Sequence, residues 1–244
     1  MIGRVLHAAL LAGIVAGAIL GAIQHVRISP LIMAAEAYER ADEAQDQIVA
    51  PAATGCIENM PGMKLCGNDG AKPWEPSPGF ERTAYTTAAS MLAGAGYAAL
   101  LAGLSLMLGL PLTRDNGVIW GLCGFLAVTV ATGAGLPPEI PGIPSADLLP
   151  RQIWWVGTVA ATGTAIYLIA SRRALWTVVL AVALIALPHI IGAPRPPATP
   201  TSVPPGLAAE FAATTVAAAA IFWALIGLFT GIAVSRAAPE LQQP

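Results

Sequence analysis

Runs of apolar residues long enough to cross a bilayer constrain this chain more than any other feature. Six occur, at roughly 5–23, 84–110, 118–136, 153–170, 175–191 and 211–234. A helix needs about 20 residues to cross a hydrocarbon core about 30 Å thick. The runs are unbroken and rich in Ala, Leu and Gly, without the alternation of membrane strands. A helix satisfies its own backbone groups inside a bilayer, so these runs predict helices. Charge agrees: 11% of the 244 residues are charged and 56% are hydrophobic, against about a quarter charged in soluble domains. The expected architecture is all-α, a polytopic integral membrane helix bundle of about six spans. Residues 1–244 read as one membrane domain. Within it, 24–83 reads as a larger extracytoplasmic loop with an acidic helix and a cysteine-containing stretch.

Charge also sets the expected orientation. Arg4, Arg114, Arg172, Arg173 and Arg236 fall in short loops or tails on one side, with only Asp115 and Glu240 as acids. The longer segments on the other side hold nearly all the carboxylates. The positive-inside rule then predicts both termini in the cytoplasm, with the chain in the inner (plasma) membrane. The first run has two readings, a retained helix or a signal peptide with Arg4 as its basic region. Its length favours the retained helix.

In the segment 24–83, Ser29-Pro30 has the form of an N-cap followed by proline at the first helical position. The sequence after it predicts a helix bearing Glu36, Glu39, Asp42, Glu43 and Asp46. Most of these acids read as a solvated face; Glu36 lies nearest the membrane. Cys56 and Cys66 follow, and in an oxidising compartment they most simply form a disulfide. A soft-metal or redox role is the alternative, because Met60 and Met63 lie between the thiols and soft ligands favour Cu(I). Cys123 sits in an apolar run and reads as packing.

The segment 135–155, GLPPEIPGIPSADLLPRQIWW, breaks the apolar pattern with five prolines, two carboxylates and one arginine. It predicts a stiff mouth or hinge between two spans. No carboxylate lies in the middle of any run, which counts against a coupled carrier acting alone. There is no HExxH, GxSxG or Walker A motif, so enzyme activity and a prosthetic group are not expected. What remains is a set of polar groups expected at one end of the helices. His189, Glu139, His25 and Glu36 are the candidate metal ligands, suited to divalent first-row ions. Each alone also has a bland reading: a histidine near a helix end snorkels or caps carbonyls. His7 takes that bland reading. Small residues at helical spacing predict close packing: Ala9-Gly13-Gly17-Gly21, Gly94-Ala98-Ala102, Gly117-Gly121 and Gly227-Gly231.

Several stretches resemble one family. ALLAGIVAGAILGAIQ, PLIMAAEAYE, WEPSPGFERT, GLPPEIPGIPSADLLPRQIWW, LPHIIGAPRPP and IFWALIGLFTG are similar, in order, to the CbtA family of predicted cobalt transporter subunits. The resemblance implies cobalt(II) uptake with a small single-span CbtB-like subunit. By position it singles out Glu139, Arg151, Gln152, Trp154, Trp155, Pro188 and His189, with Gln24, Glu36, Trp74, Glu81 and Arg82. Many members carry a histidine-rich stretch in the first outer loop, where this chain has Cys56, Met60, Met63 and Cys66. The rival reading is a non-transporting scaffold or assembly subunit, which the scarcity of charge inside the spans favours.

Overall fold

A computed structural model describes residues 2–49, 57–58, 64–65, 74, 76–172, 174–198 and 200–239. The elements are α1 (Ile2–Ile23), α2 (Ser29–Val49), α3 (Phe80–Leu108), α4 (Gly117–Phe125), α5 (Ala131–Gly133), α6 (Leu148–Ser171), α7 (Leu175–Ile191) and α8 (Pro205–Ala237). Among the described residues, strand structure is limited to β1 (Ile57–Glu58) and β2 (Lys64–Leu65), one short antiparallel pair. The protein is therefore an all-α bundle. Four of its helices are long and apolar enough to cross a membrane, against the six runs read from the sequence. They are Ile2–Asp42, Phe80–Leu108, Leu148–Ser171 and Pro205–Ala237. The other two runs form shorter apolar helices, Gly117–Gly133 and Leu175–Ile191.

Ser29-Pro30 does not start a helix. α1 runs into α2 through a π-helical turn, Gln24–Ile28, in which the Ser29 N–H bonds to the Gln24 carbonyl five residues back. Proline has no N–H to give and its ring presses on the carbonyl four residues earlier. A widened turn just before Pro30 absorbs that clash, so the helix continues where the local signal predicts a boundary. The helical stretch Ile2–Asp42 has 41 residues, about 60 Å at 1.5 Å per residue, roughly twice the hydrocarbon thickness. Its α2 half therefore stands beyond the membrane. A second π turn, Leu126–Val130, joins α4 to α5.

α1 packs along α3 and α8, α8 packs along α4, and α6 pairs with α7. The small-residue stripes make the first of these contacts backbone to backbone. A Cβ added to Gly13 would overlap the Gly94 carbonyl oxygen and lie 2.7 Å from Ala95 Cα. A Cβ on Gly121 would overlap the Trp223 carbonyl in the same way, where α4 meets α8. Lipid tails are as apolar as the side chains, so this close approach, and not a hydrophobic drive, holds the helices together.

Two buried clusters mark the ends of the bundle. One joins Val5, Ala102, Leu112, Val234 and Ala238, which brings both termini and the α3–α4 loop to the same end. The other joins Ile28, Ala35, Ile140, Val203 and Phe211 at the opposite end. There α2, the segment 135–147 and the segment 192–204 pack into a cap. Asp42 accepts hydrogen bonds from the Ser202 N–H (3.3 Å) and hydroxyl (2.7 Å). The Thr201 hydroxyl donates to the Gly142 carbonyl at 2.7 Å. The cap gives the four candidate ligands their positions.

Candidate metal site

The start of α3 gathers two of them. Arg82 donates to both oxygens of Glu36, one contact at 3.1 Å from Nη1 and the other from Nη2, in a bidentate ion pair. These hydrogen bonds, ahead of the opposing effect of partial burial, hold the Glu36 carboxyl below its ordinary value. Glu36 is thus fully ionised at neutral pH. The neighbouring Thr83 hydroxyl lies 3.3 Å from His25 Nδ1. That hydroxyl also donates to the Gly79 carbonyl at 3.0 Å. With the Thr83 proton given to Gly79, the His25 tautomer protonated at Nδ1 is the one that donates to Thr83. Neutral His25 then carries its proton on Nδ1 and leaves the Nε2 lone pair available to a ligand-seeking ion.

Below this pair, α3 presents hydroxyls at helical spacing. Thr87 lies against Gly21, and the Ser90 hydroxyl lies 2.7 Å from Gln24 Oε1 and 2.9 Å from the Thr86 carbonyl, sharing its one proton between them. Ser90 is buried. Thr83, Thr87 and Ser90 therefore form a polar stripe facing α1, descending from the cap into an otherwise apolar helix pair. The π turn at Gln24–Ile28 sits beside it, and π turns recur at functional positions because they re-aim side chains.

The other two candidates, Glu139 in the proline-rich segment and His189 near the end of α7, both contact α6. Glu139 pairs with Arg151 at 2.9 Å, which closes the proline-rich segment onto the first turn of α6. One turn further along, Trp154 is buried and donates Nε1–H to the Pro188 carbonyl at 3.0 Å. His189 stands edge-on to the same indole, ring centres 5.8 Å apart. Glu139 and His189 thus contact α6 one turn apart, and no hydrogen bond or ion pair joins them. Trp154 faces into the bundle. It fills the space under Gly135 and Ala193, and its N–H ties α7 to α6. Trp154→Phe keeps most of the ring volume and removes the donor, leaving Pro188 with one partner fewer. The Gly192 N–H still satisfies that carbonyl, so we expect a loss of about 0.5–1.5 kcal/mol, read as a lower unfolding temperature in detergent.

Among the described residues, no three or more His, Cys, Asp or Glu side chains come together in a ready-made metal cluster. The geometry offers one imidazole and one carboxylate at the start of α3, and one of each along α6. His7 bonds locally, Nδ1 to the Gly3 carbonyl at 2.7 Å, as a histidine near a helix end does. Cys123 is a free, half-buried thiol. Cys56 and Cys66, and with them the expected disulfide, lie outside the described residues. Sequence reading missed Arg82 as the partner of Glu36, 46 positions away. It also missed the Trp154–Pro188 tie, although a tryptophan N–H in an apolar setting signals an unseen acceptor.

The fold and site define a class: a multi-pass helical membrane protein with charged and imidazole groups gathered under a cap at one end of an apolar bundle. A family model described as "Probable cobalt transporter subunit (CbtA)" matches residues 2–235. The chain belongs to the CbtA family of probable cobalt transporter subunits. No curated protein and no solved structure matches it.

Proposed function

We propose that this chain forms the membrane pathway by which cobalt(II), or a related divalent transition-metal ion, enters the cell, working with a small single-span CbtB-like subunit. Residues 1–244 act as one membrane domain. The bundle crosses six times, the shorter helices Gly117–Gly133 and Leu175–Ile191 spanning about 25 Å each and local thinning covering the mismatch. Both termini face the cytoplasm, because Arg4, Arg114, Arg172, Arg173 and Arg236 cluster on their side while the acids gather at the other. The cap, with residues 24–83, is then extracytoplasmic in the plasma membrane.

One observation carries the reading: His25 and Glu36 engage adjacent residues of α3 at the head of the Thr83–Thr87–Ser90 stripe. A hydrated divalent ion exchanges part of its water shell first for the Glu36 carboxylate and then, about 16 Å further down the same helix, for His25 Nε2. The ion takes the place of the Arg82 guanidinium, so charge at Glu36 stays compensated throughout. Hydroxyls of the stripe replace further waters as the ion descends. Single protein donors in succession, each completed by water, suit cargo, which must leave again, whereas a full cage would hold it. Glu139 and His189 form a second binding position along α6.

The scaffold reading draws on the absence of a three-donor cluster among the described residues. Cobalt accumulation in cells expressing the chain with and without its partner separates the two. His25→Ala and Glu36→Gln are each expected to lower accumulation about tenfold or more, the cost of one charge-assisted contact. Glu139→Gln and His189→Ala are expected to lower it less. Accumulation unchanged by all four, at equal protein level, overturns the transport pathway and favours the scaffold.

A further inference from the structure

A groove between the α1–π turn and α8 lies away from the proposed ion pathway. Its deeper part is a cavity of about 360 Å³ lined by Ile23, Ala217 and Ile221 among others. Its upper part, about 200 Å³, adds Glu210. Arg27 and Thr214 line both, so the two parts are continuous. Arg27 and Glu210 are exposed, and among the described residues neither is in an ion pair. The pathway residues use neither of them.

The order of groups along the groove is that of a lipid. Both charges sit at the cap end, the Thr214 hydroxyl follows, and below it only apolar side chains line the wall. From Glu210 to Ile221 along α8 is eleven residues, about 16 Å. That is roughly half of a hydrocarbon core of about 30 Å, the depth of a single leaflet. A partner helix crossing the whole membrane would need a groove about twice as long. The charges then narrow the headgroup. A guanidinium binds phosphate through several donors at once, and a carboxylate a short way above it can pair with an ammonium.

We propose that this groove binds a zwitterionic phospholipid with a primary ammonium headgroup, of the phosphatidylethanolamine type, from the leaflet on the cap side. Arg27 holds the phosphate, Glu210 holds the ammonium, and one acyl chain lies along Ile23, Ala217 and Ile221. The lipid fills a gap between these two helices. It thereby seals that side of the bundle against the bilayer.

The test is retention of lipid by the full-length protein. The protein is extracted from vesicles of equal parts phosphatidylethanolamine, phosphatidylglycerol and phosphatidylcholine, and bound lipid is measured by native mass spectrometry. Wild type is expected to retain the ethanolamine lipid about two- to fivefold over the glycerol lipid, the worth of one exposed ion pair. Glu210→Gln should erase that preference while total lipid stays the same. Arg27→Ala should lower retention of all three lipids about tenfold. Ala217→Leu, which fills the apolar part and leaves both charges, should also lower all three. Equal retention of the three lipids by wild type overturns the headgroup assignment. Unchanged retention in both Arg27→Ala and Ala217→Leu overturns the site. Disulfide-linked dimers of Ala217→Cys in native membranes would show a second copy in the groove, and they overturn it too. None of these readouts involves cobalt, so the lipid site and the ion pathway fail independently.

Discussion

Gly13→Leu is expected to leave almost no correctly folded protein, the largest effect of any single change considered. The Cβ alone would overlap the Gly94 carbonyl oxygen and approach Ala95 Cα to 2.7 Å. These obstacles are backbone atoms of a helix, so no rotamer change relieves them. α1 and α3 would have to move apart along their whole crossing, because Gly17 meets Ser90 and Met91 one turn later with the same closeness. In a bilayer no hydrophobic gain draws them back, since lipid covers the separated faces as well as protein does. Overpacking a rigid contact costs about 1–3 kcal/mol where the surroundings can yield. Here they cannot, and a cost above that range is expected. The checks are the monodisperse fraction after detergent extraction and the unfolding temperature. Gly96→Ala and Gly103→Ala are the controls. Both sit on α3 with nothing within 4 Å of an added Cβ, and alanine there should be neutral or stabilising by about 0.5–1 kcal/mol. Equal loss in Gly13→Leu and the controls would mean that general helix intolerance, and not the crossing, is responsible.

The second large effect separates the two uses that the Glu36–Arg82 pair can have. If the pair only clamps α2 to α3, removing either partner should cost the same: a modest loss of stability, at most about 1 kcal/mol because both side chains are partly exposed, and no change in cobalt affinity. If Glu36 takes the ion from Arg82, the two variants diverge. Glu36→Gln removes the anionic donor and should weaken cobalt binding by about tenfold to a hundredfold, the range for a charged contact. Arg82→Ala leaves the carboxylate in place without its competitor and should tighten binding. Release then slows, so transport falls although affinity rises. Cobalt affinity of purified protein by calorimetry, beside initial uptake rates in cells, reads both arms. Parallel behaviour of the two variants would sink the exchange mechanism.

The bundle itself was largely legible because its determinants are local. Each apolar run declares a helix through its own length, and the small-residue stripes declare close packing through their own spacing. Partners were not legible. Nothing in Gly13-Gly17-Gly21 specifies Gly94 and Ser90 as the facing surface, or in Gly117-Gly121 specifies Trp223 and Gly227. Ser29-Pro30 was misleading for a physical reason: its capping signal competes with the helix on each side of it. The helix persists through a π turn because α1 is held by α3 and α8 while α2 is held by the cap.

The candidate site divides in the same way. The residue types were legible, since His and Glu near the ends of apolar runs are few. Their grouping was not, for Glu36 finds Arg82 across 46 positions and His25 finds Thr83 across 58. The segment 135–155 shows both outcomes. Its prolines declare an irregular connection, and Glu139–Arg151 closes it within the segment. Trp154, however, turns inward to Pro188, a choice made by a neighbouring helix.

By itself the sequence determined that this protein is a helical membrane bundle with most of its acids and two of its three histidines towards one end, and its motifs carried the family. Those properties follow from hydrophobicity, charge and spacing along the chain, which need no knowledge of what packs where. Only the tertiary structure decided that His25 and Glu36 contact neighbouring residues at the start of α3, that Glu139 and His189 contact α6 a turn apart, and that a groove opens beside α8 with two charges that are unpaired among the described residues. The first follows from the α1–α3 crossing, set by backbone contact at glycine, and the second from the Trp154–Pro188 tie; such contacts are properties of two segments together.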